Sequence, residues 1–189
     1  SWGIWHQGER PEQRHLADAL YSLTKSIDPT RPTIGNDGWE FSTGDVWAVH
    51  SYEQGHGALA KCIDRLLESP QSYVADVGQP RQGALEGADP RKLPLVLSEC
   101  GGVGFVGSNR SAAAEHDDFA YGEMPENEDN YASACRGLLA EISAIHQLSG
   151  FVWTQLTDVQ QEVNGLLFFD REPKLPIEHI RQMVLSVRD

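Results

Sequence analysis

Apolar residues along the chain recur at two different spacings, and the alternation between them predicts the elements. From Pro11 to Ile27, Leu16, Ala19, Leu20, Leu23 and Ile27 fall on one helical face. Pro11 suits a first helical turn and Asp28-Pro29 stops the run, so a surface helix is predicted there. Thr33 to Asn36 and Asp45 to Ser51 are short segments that close on polar residues, Asn36-Asp37-Gly38 and His50-Ser51-Tyr52. Both read as strands. Ala58 to Leu67 returns to helical spacing, and Ser69 to Lys92, with its prolines and glycines, reads as a long connection. Leu93 to Ser98 is then almost wholly apolar and ends in Glu99-Cys100-Gly101-Gly102, the pattern of a strand buried in a parallel sheet. Gly101 to Asn130 is a second long loop. Tyr131 to Leu148 is helical through Leu138, Leu139, Ile142 and Ile145; Gly150 to Gln155 is a strand, and Ile177 to Val187 is a closing helix.

Strands separated in this way by helices belong to a parallel α/β sheet rather than a meander. In such sheets the ligand sits at the carboxyl ends of the strands. Those ends carry Asn36, Asp37, His50, Tyr52, Glu99, Trp153 and Gln155. Glu99 stands out because a carboxylate ending an apolar strand is costly to desolvate and needs a bonded partner or a chemical task. A strand end emerging into water is the plain alternative.

Composition narrows the function classes. The 189 residues suffice for one core, and 40% hydrophobic content is that of a folded chain. A net charge of -13 with no Lys/Arg cluster argues against nucleic acid and anionic membranes as partners. No run reaches the roughly 18 apolar residues of a membrane helix. Cys62, Cys100 and Cys135 lack CxxC spacing and read as reduced, structural thiols. His6, His15, His50 and His56 form no HExxH pattern, and Gly101-Gly102-Val103-Gly104 lacks the spacing of a phosphate loop, so neither a metal nor a cofactor is predicted. Glu115-His116-Asp117-Asp118 and Glu123 to Asp129 read as solvated acidic loop. Phe105, Phe119 and Tyr121 between them leave a lid as the alternative.

At its strand ends the sequence resembles glycoside hydrolase family 2, the β-galactosidases, β-glucuronidases and β-mannosidases. Leu95-Val96-Leu97-Ser98-Glu99 before glycines resembles the seventh barrel strand with the nucleophilic glutamate, and Gly150 to Asp158 resembles the eighth. The likeness continues through Glu162-Val163-Asn164-Gly165-Leu166 and Asp170-Arg171-Glu172-Pro173-Lys174. Asp45 to Tyr52 resembles the sixth strand, whose tyrosine hydrogen-bonds the nucleophile in this family, and Gly35 to Trp39 the end of the fifth. The opening Ser1-Trp2-Gly3 is similar to the phrase that follows the family's Asn-Glu acid/base pair. The resemblance therefore implies the second half, strands 5 to 8, of a (β/α)8 TIM barrel. The acid/base glutamate would lie just before Ser1, with strands 1 to 4 and β-sandwich domains further upstream.

The implied activity is retaining hydrolysis of β-glycosides. Two carboxyl groups about 5 to 5.5 Å apart are needed, one to attack the anomeric carbon and one to protonate the leaving oxygen and later activate water. Glu99 would be the first. Tyr52 would hydrogen-bond it or pack in the core; Asn36, Asp37 and His50 would bind sugar hydroxyls or simply be satisfied polar residues. Trp153 would face a pyranose ring or pack in the core. The expected partner is a carbohydrate substrate, and unpaired barrel edges imply self-association of the isolated chain. A carbohydrate-binding protein on a degenerate barrel is the alternative. A different two-carboxylate family, such as the family 5 cellulases, fits the Thr154 to Lys174 stretch less well.

Overall fold

A computed structural model of the chain describes residues 4–55, 57–74, 81–107 and 118–187. Ser1-Trp2-Gly3, on which the position of the acid/base was placed, lies outside these residues, as do His56 and Glu115-His116-Asp117. In chain order the elements are α1 (Pro11–Ile27), β1 (Trp47–His50), α2 (Ala58–Glu68), β2 (Tyr73–Val74), β3 (Arg81–Gln82), β4 (Leu95–Gly101), α3 (Glu128–Ala144), β5 (Leu148–Thr154) and α4 (Ile177–Leu185). An open sheet runs in the order β1-β4-β5, with β1 and β4 parallel, and β2 and β3 form a separate antiparallel pair. The class is α/β with an unclosed parallel sheet, as the pattern implies.

Four expectations are corrected. Thr33 to Asn36 is not a strand, so the sheet has three strands rather than four. The main chain there is engaged by a side chain and a turn: Thr33 N–H donates to Asp45 Oδ2 at 2.9 Å, Asp45 N–H returns to Thr33 O at 2.9 Å, and Asn36 Nδ2–H donates to Trp39 O at 2.8 Å. The connection from Ser69 to Lys92 holds the short β2–β3 pair. The helix expected from Tyr131 starts at Glu128, because Asn127 accepts a capping hydrogen bond from Asn130 N–H at 2.9 Å, and Leu148 at its far end belongs to β5. On α1 the residue that is buried is Ala17, while Leu16, Leu20, Leu23 and Ile27 face outward at 47–77% exposure.

The chain divides into two compact units. The first comprises Ser1–Ser51, Lys61–Glu99 and Gln147–Val152. Its core gathers Trp47, Val49, Ile63, Leu66, Leu85, Leu95 and Leu97. All four residues of β1 are buried although it is an edge of the three-stranded sheet, whereas β5 is only partly covered. Trp47 Nε1–H donates to Gly83 O at 3.2 Å, and a Cβ on Gly83 would lie 2.5 Å from Leu66, which explains the glycine. Asp45 ties the helix to the strand, accepting from Lys25 Nζ at 2.9 Å and Tyr21 Oη at 2.8 Å. Those donors, Lys25 foremost, hold the Asp45 carboxyl below its ordinary value.

The second unit comprises Tyr52–Ala60, Cys100–His146 and Trp153–Asp189. Here α3 packs against α4 over Leu138, Leu139, Ile142, Ile180 and Met183. Beneath Tyr131 lies a buried ion pair: Lys174 Nζ is 2.8 Å from Asp158 Oδ1, with side-chain exposures of 0% and 7%. Lys174 also donates to Val163 O at 2.7 Å, Gly165 N–H donates to Asp158 at 2.8 Å, and Tyr131 Oη–H donates to Gly165 O at 3.1 Å. Burial pushes the Asp158 carboxyl up and the Lys174 ammonium down, and each partner opposes the shift of the other. Burial likewise pushes the Cys100 thiol up to about 12 and that of Cys135 up to about 11, as inert core cysteines require.

Removing one member of the Lys174–Asp158 pair leaves the other charged and unpaired in the interior. Asp158→Ala is expected to lower stability by about 3–5 kcal/mol in urea unfolding. The double change Asp158→Leu with Lys174→Met, which removes both charges, should lose much less.

Candidate active site

The geometry at Glu99 begins with a slip in strand register. Trp47, Ala48 and Val49 of β1 pair with Leu95, Val96 and Leu97 of β4, but His50 pairs with Glu99. Ser98 is thus the extra residue of a bulge, and its Oγ–H reaches back to Val49 O at 3.4 Å. A bulge of this kind re-aims the side chain that follows it. The consequence is that Glu99 stands beside His50 at the carboxyl end of the paired strands.

His50 is 3% exposed and lies between two carboxylates. Its Nδ1 is 3.3 Å from Glu99 Oε2, and its Nε2 is 3.2 Å from Asp37 Oδ2. Asp37 and Glu99 keep 31% and 20% side-chain exposure, so the imidazole is the most deeply buried of the three. One donor atom from each of the three lies within 4.8 Å of the others, a spacing a divalent cation could also use. Both ring nitrogens already face carboxylate oxygens, however, and a cation would have to displace one of these contacts. The arrangement suits a ring that fixes the direction of two carboxylates.

The neighbouring loop is shaped to admit that ring. Gly38 has φ +90°, and a Cβ there would lie 2.6 Å from the His50 imidazole. Gly38 O also accepts from His50 N–H at 3.1 Å. Trp39 sets its ring edge-on to the imidazole, centroids 4.9 Å apart at 85°. Asn36 is 5% exposed and its amide is engaged by main chain: Oδ1 accepts from Ile4 N–H at 2.7 Å, and Nδ2 donates to Ile4 O and Trp39 O. It braces the segment that carries Asp37 and Trp39.

Tyr52 and Trp153 belong to the second unit. Tyr52 stacks on Tyr121 with centroids 3.5 Å apart and planes 11° from parallel. Gly101 and Gly102, at φ +99° and +66°, allow close approach: a Cβ on Gly101 would lie 2.8 Å from the Trp153 ring, and one on Gly102 2.6 Å from Tyr121. Trp153 Nε1–H is buried without an acceptor among the described residues. Of the suggested lid aromatics, Phe105 is a core residue stacked on Tyr131, while Phe119 packs edge-on to Tyr121. An open groove of about 980 Å³ is bounded by Tyr52, Gln54, Tyr121, Asn130 and Glu141.

Asp37, His50 and Glu99 are therefore brought together, with Asn36 supporting them through the main chain. Sequence reasoning did not single out Trp39 as a site residue. Trp39 could have been found from its place directly after Asp37-Gly38.

No family model and no curated protein matches the chain. Solved structures do. A GH2 β-galacturonidase from Eisenbergiella tayi bound to galacturonate is similar over 95% of this chain, with a TM-score of 0.61 at 17% identity. A β-glucuronidase from Faecalibacterium prausnitzii is similar over 96%, with a TM-score of 0.59 at 19% identity. A Bifidobacterium dentium β-glucuronidase complexed with coumarin-3-O-glucuronide is similar over 97%, with a TM-score of 0.58 at 20% identity. At these identities the likeness is one of fold. The chain spans only 31%, 30% and 29% of those three chains.

Gly38 offers a direct check on the position of His50. Gly38→Ala is expected to destabilise the chain by about 1–3 kcal/mol more than Gly87→Ala, because it adds a clash to the backbone strain. Gly87 has a similar φ of +81° but nothing within 4 Å of the added Cβ. The His50 ring proton resonances should shift in the first variant and not in the second.

Proposed function

We propose that the chain is the second half, strands 5 to 8, of a GH2 catalytic (β/α)8 barrel, and that the protein carrying it is a retaining β-glycosidase with Glu99 as nucleophile. The observation that carries this reading is the bulge that sets Glu99 against His50 at the carboxyl end of β4. The open sheet and the one-third coverage of the similar GH2 β-galacturonidase structures support it. In this reading the irregular segment from Thr33 to Asn36 stands where the fifth strand would run.

Glu99 attacks the anomeric carbon and forms the glycosyl ester while the glycosidic bond breaks. The leaving oxygen takes a proton from the acid/base glutamate that the family resemblance puts just before Ser1. The same group then deprotonates the water that cleaves the ester. His50 is a positioning residue: with Oε2 of Glu99 on Nδ1 and Asp37 on Nε2, the attacking carboxylate keeps one orientation. Asp37 contacts the sugar, and Asn36 braces the segment that carries it.

A non-catalytic carbohydrate-binding protein is the second reading. It is favoured by one observation: among the described residues, the second carboxylate of the cluster is Asp37, and it is already tied to His50. The residue before Ser1 separates the readings, glutamate for the enzyme and anything else for the binder.

In the complete protein, Glu99→Gln should lower turnover of aryl β-glycosides by about 10⁴-fold or more, with sugar affinity kept. A 2-deoxy-2-fluoro glycoside should leave its sugar on the peptide that contains Glu99. Wild-type rates in the variant, or an adduct elsewhere, would remove Glu99 from the role. His50→Gln should lower kcat by about 10²-fold with little change in KM, the signature of a misplaced nucleophile. The isolated 189 residues should hydrolyse nothing and should self-associate in light scattering, because half of the barrel and one carboxyl group are supplied from elsewhere.

A further inference from the structure

We infer that Asp37, His50 and Glu99 form a site for a divalent transition cation of the zinc type, whose binding takes Glu99 out of action; the binding stands on geometry, and the inhibition rests on the glycosidase reading. Among the described residues these three are the one group of His, Cys, Asp and Glu whose ligand atoms converge, each within 4.8 Å of the others. Ligands held tetrahedrally at about 2.0–2.2 Å from zinc stand roughly 3.4 Å apart. His50 Nδ1 is already 3.3 Å from Glu99 Oε2, and Nε2 is 3.2 Å from Asp37 Oδ2. The donors thus stand close to bonding separation, and a cation needs only one of the ring nitrogens. Three separate segments supply the ligands, which is why no spacing motif in the sequence announces the site.

The charge balance points the same way. A neutral imidazole carries one N–H, so it donates to one of the two carboxylates and turns a lone pair toward the other. A protonated ring meets both contacts but leaves the three groups with a negative charge in excess, whereas a divalent cation beside the neutral ring cancels both carboxylates. The cost is one displaced carboxylate–imidazole contact, which a metal–ligand bond replaces. At a net charge of -13 the chain as a whole attracts cations. An imidazole with two carboxylates suits zinc or nickel better than magnesium or calcium, which prefer oxygen ligands throughout. Cys62, Cys100 and Cys135 are buried, so none of them competes as an accessible thiolate. A cation held here engages the oxygen lone pair with which Glu99 would attack, and it occupies Asp37 as well. Inhibition is therefore reversible and competitive with the sugar.

Calorimetry with zinc chloride on the complete protein, first stripped with EDTA and dialysed, tests the site. One equivalent is expected to bind with a Kd of about 100 µM or tighter, and magnesium and calcium chloride about 10-fold or more weakly. The His50 ring resonances should shift in step with that equivalent. His50→Gln and Asp37→Asn should each weaken zinc binding about 10-fold or more, while His179→Gln, at an exposed position of α4, should leave it unchanged. The site is overturned if no equivalent of zinc binds in that range, if magnesium binds as tightly as zinc, or if the affinity survives both His50→Gln and Asp37→Asn. Should His50→Gln not fold, Asp37→Asn decides: an unchanged affinity overturns the site, and a reduced one supports it. In turnover of an aryl β-glycoside, zinc should inhibit competitively over the concentrations at which it binds, and EDTA should restore the rate. Because binding is read apart from turnover, zinc binding by a metal-free protein that hydrolyses nothing would sink the glycosidase reading alone. Hydrolysis unchanged by saturating zinc would sink the inhibition and leave that reading standing.

Discussion

The imidazole of His50 is the constraint on which the candidate site depends. It is buried, it faces a carboxylate at each ring nitrogen, and it leans on the edge of Trp39. A buried polar ring of this kind is tolerable only when both nitrogens have partners, so Asp37 and Glu99 are as necessary to His50 as His50 is to them. The backbone serves the same end. The bulge at Ser98 brings Glu99 level with His50, and Gly38 clears the space the ring occupies while its carbonyl accepts from the His50 main chain. Without the bulge, His50 would pair with Ser98.

The second unit rests on a different solution to the same problem. Lys174 and Asp158 are buried charges, and each is held by the other and by main-chain groups of Val163 and Gly165. The polar phrase around Glu162-Val163-Asn164-Gly165 is therefore not a solvated loop. Asn164 is fully buried, accepting from Gln155 and donating to Glu162, so the residues following β5 are ordered by side-chain hydrogen bonds more than by regular structure. Such networks are costly when incomplete, which favours a single arrangement of the loop.

How much of this was legible in the sequence depends on whether the signal is local. The apolar run into Glu99 identified β4, and the helical spacings identified α1, α2, α3 and α4, because periodicity reports the burial of one element's own side chains. Asp37, His50 and Glu99 were legible as strand-end polar residues but not as a cluster, since a one-residue bulge leaves no mark in a pattern of apolar positions. The segment from Thr33 to Asn36 looked like a strand because its composition is right. It fails to be one because Asp45, twelve residues on from Thr33, claims its main-chain groups. Arg81 was invisible for a related reason: a buried cation is recognised by the two rings it lies against, and both are far away in sequence.

The outward stripe on α1 turns this lesson around. Leu16, Leu20, Leu23 and Ile27 have the spacing of a buried face, yet they are open to solvent, and Ala17 alone on the helix is buried. Leaving four large side chains exposed forgoes about 1.5–3 kcal/mol each of burial energy. Helices rarely keep such a stripe uncovered in an ordinary globular chain. The partly covered β5, with Val152 at 54% exposure, is a second apolar surface of the same unit with room for a neighbour. Two incompletely covered apolar surfaces, one on a helix and one on a strand of an open sheet, fit half of a barrel, whose elements are patterned to pack against the other half. The proposed barrel thus accounts for apolar positions that the described residues leave without a purpose, on grounds independent of the chemistry at Glu99.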